Sequence, residues 1–166
     1  MREVTLYLGD VHAAQEPTRL TTLLGSCIAV CLYDPVRAVG GMNHFMLPHG
    51  RMGAGESARF GVHAMERLLI ALLDLGGARR RLAAKVFGGA HVLDIEESAA
   101  SVPQQNIEFV RTFLEAVGIP VIAEDVGGYR PRTLHFYTAT GRVFLKRAPQ
   151  ERPALPTPHG GAVSRC

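Results

Sequence analysis

The stretch from residue 21 to residue 48, TTLLGSCIAVCLYDPVRAVGGMNHFMLP, constrains the fold more than any other part of the chain. It contains two apolar segments separated by the turn-forming pair Asp34-Pro35. Short runs of branched and apolar residues on both sides of a turn predict two paired strands. Such a pair returns the chain to its starting point, so we expect Cys27 and His44 to lie side by side.

Cys27 directly follows a Gly-Ser turn, which makes it a candidate nucleophile. The reactive species is the thiolate, and a free cysteine with a pKa of about 8.5 is mostly protonated at neutral pH. A neighbouring histidine such as His44 can take the thiol proton and later deliver it to a leaving group such as ammonia. Gly25 permits a tight turn, and the N–H groups around Gly25 and Ser26 are candidates for stabilising an oxyanion.

The same residues also fit an ordinary protein core. Cysteine is among the most buried residue types, and a single histidine in an apolar segment is more often a hydrogen-bonded core residue than a base. The Gly-Ser turn distinguishes Cys27 from Cys31, which lies in the middle of a predicted strand and is interpreted as core. A third group usually orients a catalytic histidine, and the hydroxyl of either Thr21 or Thr22 is placed to orient His44.

Two runs around the predicted site, LGSCIAVC at residues 24–31 and GGMNHFMLP at residues 40–48, resemble the chemoreceptor glutamine deamidases, the CheD family. The resemblance covers residues 3–147 and continues in three further runs: KVFGGA at 85–90, QN at 105–106 and EDVGGYR at 124–130. It implies a catalytic set of Cys27 as nucleophile, His44 as base and Thr21 as the group that orients the base. It also places three residues near the substrate: Gly88, Gly89 and Asn106.

The resemblance implies that the chain hydrolyses glutamine side chains of chemotaxis receptors to glutamate and ammonia through a cysteine thioester, without a cofactor. The implied partners are the cytoplasmic helices of the receptors and, in some organisms, a CheC-type phosphatase. Two alternatives stay open: a methylesterase acting on receptor glutamyl esters, and a non-enzymatic adaptor. An adaptor predicts that Cys27→Ala leaves the biological effect intact, whereas the joint presence of Thr21, Cys27 and His44 favours an enzyme.

Composition excludes several other classes of protein. The chain has 166 residues, 47% hydrophobic and 20% charged, which suits one globular domain. No apolar run approaches the roughly 20 residues that a membrane helix requires, so no membrane insertion is expected. Three cysteines, an odd number, together with a strand-like N-terminus that does not resemble a signal peptide, predict reduced thiols and a cytoplasmic location.

The net charge of +3 does not indicate nucleic-acid binding, because all of the excess lies at residues 146–166. That segment holds four basic residues and one acidic residue, which leaves 14 of each sign in residues 1–145. The basic cluster Arg79-Arg80-Arg81 is predicted to be a solvated loop after a helix. His49 lies near His44 but no second ligand cluster accompanies it, so no metal site is predicted.

The predicted fold is a single α+β domain at residues 1–147, with mostly antiparallel or mixed strands, about eight in number, and two main helices packed outside. Apolar spacing and capping signals predict the helices at residues 57–75 and 101–116. Residues 9–17 are predicted to be a loop, and residues 48–56 a glycine-rich loop that is either a flap or a connector. Asp125 and Arg130 are expected to form an ion pair, and the Pro-rich tail at 148–166 is expected to be disordered.

Overall fold

The computed structural model describes residues 1–48, 54–92 and 101–149. Most of the glycine-rich loop and nearly all of the tail therefore lie outside the described residues. Within them, the chain forms nine strands and two long helices. In chain order these are β1 Arg2–Thr5, β2 Val11–Ala14, β3 Thr18–Leu24, β4 Ile28–Asp34, β5 Val39–Asn43, α1 Ala54–Asp74, β6 Ala83–Gly88, α2 Val102–Val117, β7 Val121–Val126, β8 Arg132–Tyr137 and β9 Arg142–Arg147.

The strands form two sheets, and the helices form a third layer. The first sheet has the order β1-β3-β8-β9 and the second the order β2-β5-β4-β6-β7. Five of the seven strand pairings are antiparallel; the β1–β3 and β6–β7 pairings are parallel. One buried apolar cluster lies between the second sheet and the two helices, and another lies between the two sheets. The prediction of a single α+β domain is confirmed.

Strand β4 is buried on both faces because it lies at the centre of the second sheet. Its residues alternate between the two clusters: Ile28 and Val30 pack towards the helices, and Ala29 and Cys31 pack towards the first sheet. Cys31 is thus a core residue, and burial raises the pKa of its thiol far above the ordinary value. A strand with this continuous apolar character is typical of a position covered on both sides.

The helices match their predicted positions closely. The helix α2 begins after Ser101 and ends at Gly118, which adopts the left-handed conformation with φ of 73°. The helix α1 begins three residues before Ser57, whose hydroxyl donates to the carbonyl of Pro48 instead of capping the helix. No helix among the described residues is long and apolar enough to cross a membrane.

Two local predictions were wrong, and a third holds for part of its segment. The predicted loop at residues 9–17 contains β2, which the sequence did not reveal because backbone hydrogen bonds to β5 hold it at the sheet edge. In the predicted solvated cluster, which forms a 3-10 turn, Arg79 and Arg80 are exposed, whereas Arg81 forms a salt bridge of 2.9 Å with the fully buried Asp34. Asp125 does not pair with Arg130; its carboxylate instead contacts two other arginines, Arg132 and Arg147.

Candidate active site

The pairing of two chain segments brings Cys27 and His44 to one face of the second sheet. Ile28 and Phe45 form an antiparallel bridge with reciprocal N–H to carbonyl hydrogen bonds of 2.9 Å. Both side chains of the bridge pack towards the helices, so the residues that precede them point to the opposite face. Cys27 and His44 therefore lie on the same face, each one residue before a partner of the bridge. The close approach of their side chains, expected from the sequence, stays a prediction.

The imidazole of His44 is fixed by Thr22, which projects inward from β3 across the space between the sheets. The Thr22 hydroxyl lies 2.7 Å from Nδ1 of His44 and 2.8 Å from the carbonyl oxygen of Leu6. A hydroxyl has one hydrogen to donate, and the Leu6 carbonyl accepts it. The Thr22 oxygen therefore accepts a hydrogen bond from Nδ1–H. This assigns neutral His44 to the tautomer in which Nε2 carries the lone pair.

The second ring nitrogen of His44 is left without a partner. His44 is only 6% exposed, and its Nε2 has no hydrogen-bond partner within the described part of the chain. Burial lowers the pKa of His44 below its ordinary value, although the Leu6 carbonyl and the charge of Asp10 partly oppose this shift. A buried, unpartnered acceptor costs stability, so its presence beside a cysteine points to a group kept ready to take a proton.

Thr21 occupies a different place from the one that the family resemblance implied. Its hydroxyl lies 2.8 Å from Nδ1 of His135, the residue directly opposite it on β8. The sequence led us to expect a contact between Thr21 and His44. The structure instead has a contact between Thr22 and His44, because alternate residues of β3 point to opposite faces of the sheet. Thr22 lies on the inner face with Leu20 and is buried. It is Thr22, therefore, that contacts the histidine.

The turn that carries Cys27 is held by its carbonyl groups. Three consecutive carbonyl oxygens accept hydrogen bonds from donors behind the turn: Gly25 from Ala90 N at 2.9 Å, Ser26 from Asn106 Nδ2 at 3.0 Å and Cys27 from Gly89 N at 2.8 Å. In a trans peptide the N–H points opposite to the carbonyl of the same unit. The N–H groups of Ser26 and Cys27 therefore point away from these donors. Two adjacent N–H groups with this orientation form a cradle for a negative oxygen.

Asn106 joins the nucleophile turn to the segment that carries His44. Its side chain is fully buried at the start of α2. Besides the bond from Nδ2 to Ser26, its Oδ1 accepts the N–H of Leu47 at 2.9 Å. The nitrogen of the Asn106 amide thus binds the segment of Cys27, and its oxygen binds the segment of His44. This pair of hydrogen bonds holds the two segments at a fixed separation.

The paired glycines Gly88 and Gly89 pack behind the turn and are buried. A Cβ on Gly88 would lie 2.1 Å from the carbonyl oxygen of Cys27, and the φ of Gly88 is +111°, a value that favours glycine. A Cβ on Gly89 would lie 2.7 Å from Ile107. These two glycines allow the turn and α2 to approach each other closely. Gly88 packs against the turn and Gly89 against α2, and the proximity of both glycines to a substrate stays a prediction.

The surroundings of the Cys27 thiol and of the His44 imidazole favour the neutral form of each group. Burial raises the pKa of the Cys27 thiol, and hydrogen bonds from its own N–H and from the Ser26 hydroxyl partly oppose the rise. The pKa of His44 is lowered, so both shifts disfavour a thiolate–imidazolium pair before substrate is bound. Among the described residues, no group of three or more histidine, cysteine or acidic side chains is arranged to hold a metal ion.

The chain is similar to known proteins of one family. The family model described as CheD chemotactic sensory transduction matches residues 46–147. The chain is 50% identical over 139 residues to the probable chemoreceptor glutamine deamidase CheD of Xanthomonas campestris pv. campestris strain B100, covering 84% of this chain and 70% of the relative. A protein of the same name from Stenotrophomonas maltophilia strain K279a matches with the same identity and coverage.

A third relative is more distant in sequence but matches more of the chain. It is the probable chemoreceptor glutamine deamidase CheD 2 of Chromobacterium violaceum, 45% identical over 155 residues, which is 92% of this chain and 77% of the relative. Among solved structures, the similarity to Bacillus licheniformis hypothetical protein YfiH is weak. Its TM-score is 0.45 at 17% identity, over 69% of this chain and 49% of that one.

Proposed function

The chain belongs to the CheD family of chemotaxis proteins, and we propose that it deamidates glutamine side chains of chemoreceptors with Cys27 as its nucleophile. Its relatives are named chemoreceptor glutamine deamidases, so the activity of the family is hydrolysis of the glutamine side-chain amide. The observation that carries the mechanism is the tautomer of His44. The Thr22 oxygen accepts the hydrogen bond from Nδ1–H. Nε2 therefore carries a lone pair without a hydrogen-bond partner among the described residues, on the face that His44 shares with Cys27.

The first half of the reaction forms a thioester and releases ammonia. Nε2 of His44 takes the thiol proton of Cys27 while the sulfur attacks the amide carbon of the glutamine. The amide oxygen becomes negative and is stabilised by the N–H groups of Ser26 and Cys27. The His44 imidazolium then gives its proton to the amide nitrogen, the C–N bond breaks, and ammonia leaves.

The second half uses water and restores the enzyme. Neutral His44 takes a proton from water, and the resulting hydroxide attacks the thioester carbonyl in the same cradle. The C–S bond breaks, the proton returns to the sulfur of Cys27, and the product is a glutamate side chain. In sum, glutamine and water give glutamate and ammonia, with no redox change. Every group needed for the two steps lies within this chain.

The position of the site suits a protein substrate. Cys27 is half-buried in a turn between two strands, next to the surface, so a side chain carried on another protein can reach it. A chemoreceptor segment on the cytoplasmic side of the membrane is the substrate that agrees with the names of the relatives and with the accessible position of Cys27. We therefore place the activity in the cytoplasm, where thiols such as Cys27 and Cys31 stay reduced.

The proposal is tested on purified cytoplasmic fragments of chemoreceptors. Wild-type protein is expected to release ammonia and to raise the fragment mass by about 1 Da for each glutamine converted. Cys27→Ala is expected to abolish both signals while its circular dichroism spectrum stays unchanged. A Cys27→Ala protein that still releases ammonia would exclude cysteine catalysis. A wild-type protein that binds fragments without releasing ammonia would instead favour an adaptor.

A further inference from the structure

Three large apolar side chains lie exposed next to the candidate active site. They are Tyr7, 70% exposed, Leu8, 55% exposed, and Leu23, 65% exposed, and together we call them the apolar rim. A single exposed leucine on a protein surface is ordinary. Three such side chains in adjoining segments form a patch, and exposed apolar patches mark sites of protein interaction.

The members of the rim lie on adjoining segments. Strand β1 runs parallel to β3 with Thr5 opposite Thr21, and the N–H of Leu6 donates to the carbonyl of Thr21 at 2.8 Å. Leu23 lies on the outer face of the first sheet because Thr22 points inward. Tyr7 and Leu8 are exposed in the segment that directly follows the last of these pairings.

The rim is joined to both catalytic residues by the backbone. Leu23 lies at the end of β3 and precedes the turn that carries Cys27. Leu8 precedes Gly9, whose N–H donates to the carbonyl of His44 at 2.8 Å. The apolar rim therefore borders the two segments that carry Cys27 and His44, and a protein that presents a side chain to Cys27 from this side would cover it.

We propose that the apolar rim is the docking surface for the chemoreceptor segment that carries the target glutamine, and that it binds apolar side chains next to that glutamine. The proposal rests on the proposed deamidase function, since it takes the position of the substrate from Cys27. Residues three or four positions apart share one face of a helix, so apolar residues one turn from the glutamine can meet the rim while the amide meets the thiol. Aromatic and large apolar anchors at the centre of an interface carry much of its affinity.

The test compares rim variants with a matched control elsewhere. Leu23→Thr introduces a β-branched residue, which suits a strand, and Tyr7→Ser changes a residue that lies beyond the end of β1. Val36→Ser is the control, because Val36 is 72% exposed and lies beyond the far end of β4 from Cys27. Steady-state ammonia release from a receptor fragment gives KM and kcat. The alkylation rate of Cys27 by iodoacetamide reports whether the catalytic centre is intact.

We expect each rim variant to raise KM about tenfold with kcat and the alkylation rate unchanged, whereas Val36→Ser changes none of them. Equal KM values in rim variants and wild type would overturn the rim proposal and leave the deamidase intact. The same variants in a Cys27→Ala background are tested for binding to the fragment. This binding assay tests the rim proposal even if no turnover is detected. Sedimentation shows whether the rim instead joins two copies of this chain; dissociation of a dimer by Leu23→Thr, with fragment affinity unchanged, would also overturn the proposal.

Discussion

Replacing Thr22 by valine tests the role that the structure gives to this hydroxyl. Valine has nearly the same shape as threonine, so Thr22→Val replaces the hydroxyl by a methyl group at almost the same volume. His44 loses the acceptor for Nδ1–H at 2.7 Å, and the Leu6 carbonyl loses its donor at 2.8 Å. During catalysis the ring becomes an imidazolium, and a hydrogen bond to a charged group contributes about 1.5–3 kcal/mol. The expected fall in kcat is therefore about 10- to 100-fold.

Thr21→Val is the matched control. It removes the same atom from the adjacent residue, whose hydroxyl contacts His135 at 2.8 Å on the outer face of the sheet. Ammonia release from a receptor fragment should fall strongly for Thr22→Val, stay near wild type for Thr21→Val, and recover with Thr22→Ser. Loss of activity in Thr21→Val together with normal activity in Thr22→Val would refute the assignment. The Thr21 of the family resemblance would then be the orienting residue.

Three further predictions follow from the contacts of the site and the core. The lowered pKa of His44 predicts that kcat/KM stays high as pH falls to 6.5 and is lost only below it, as the base becomes protonated; a pH profile with its acid limb centred above 6.5 contradicts this. Asn106→Ala should lower kcat about tenfold without changing KM, because the Ser26 carbonyl loses its donor; steady-state kinetics measure the split, and an unchanged kcat rejects the role. Buried Asp34 has its pKa lowered from 3.8 to about 2 because hydrogen bonds from Arg81 and from backbone N–H groups outweigh the opposing effect of burial. Its carboxylate therefore contributes about 2 kcal/mol of stability that is complete above pH 4 and is lost towards pH 2; urea unfolding should show this loss in wild type and not in Asp34→Asn.

The sequence predicted the parts of the site that depend on strand pairing. A turn between two apolar segments was enough to predict the pairing of β4 with β5 and the return of the chain to Phe45 beside Ile28, because antiparallel strands return the chain to its start. Apolar spacing with a serine before the helix and a glycine after it was enough to place α2. These features arise from local patterns whose period is fixed by the backbone.

The choice between Thr21 and Thr22 depends on which face of β3 points inward. The alternation of Leu20, Thr22 and Leu24 was a usable signal, since two leucines at a spacing of two mark the buried face. Arg19, Thr21 and Leu23 share the other face. The resemblance to the family implied Thr21 as the residue that orients His44, although this alternation favours Thr22.

Other contacts depend on packing between distant elements and have no local pattern. Asn106 meets Ser26 only because α2 packs behind the nucleophile turn, so its burial was not visible in the helix sequence. Asp34 and Arg81 are 47 residues apart and are joined by the return of β6 beside β4. Such pairs are set by the tertiary fold rather than by local sequence preference.

The most direct test of the account is to trap the covalent intermediate on Cys27. Wild-type protein is mixed with a receptor fragment, quenched with acid within the first turnovers, and analysed by intact mass spectrometry. The account predicts an adduct whose mass is the sum of the two proteins less roughly 17 Da for the lost ammonia. Hydroxylamine should cleave the adduct, and Cys27→Ala should not form it. Continued ammonia release with no adduct at any quench time would contradict a thioester at Cys27.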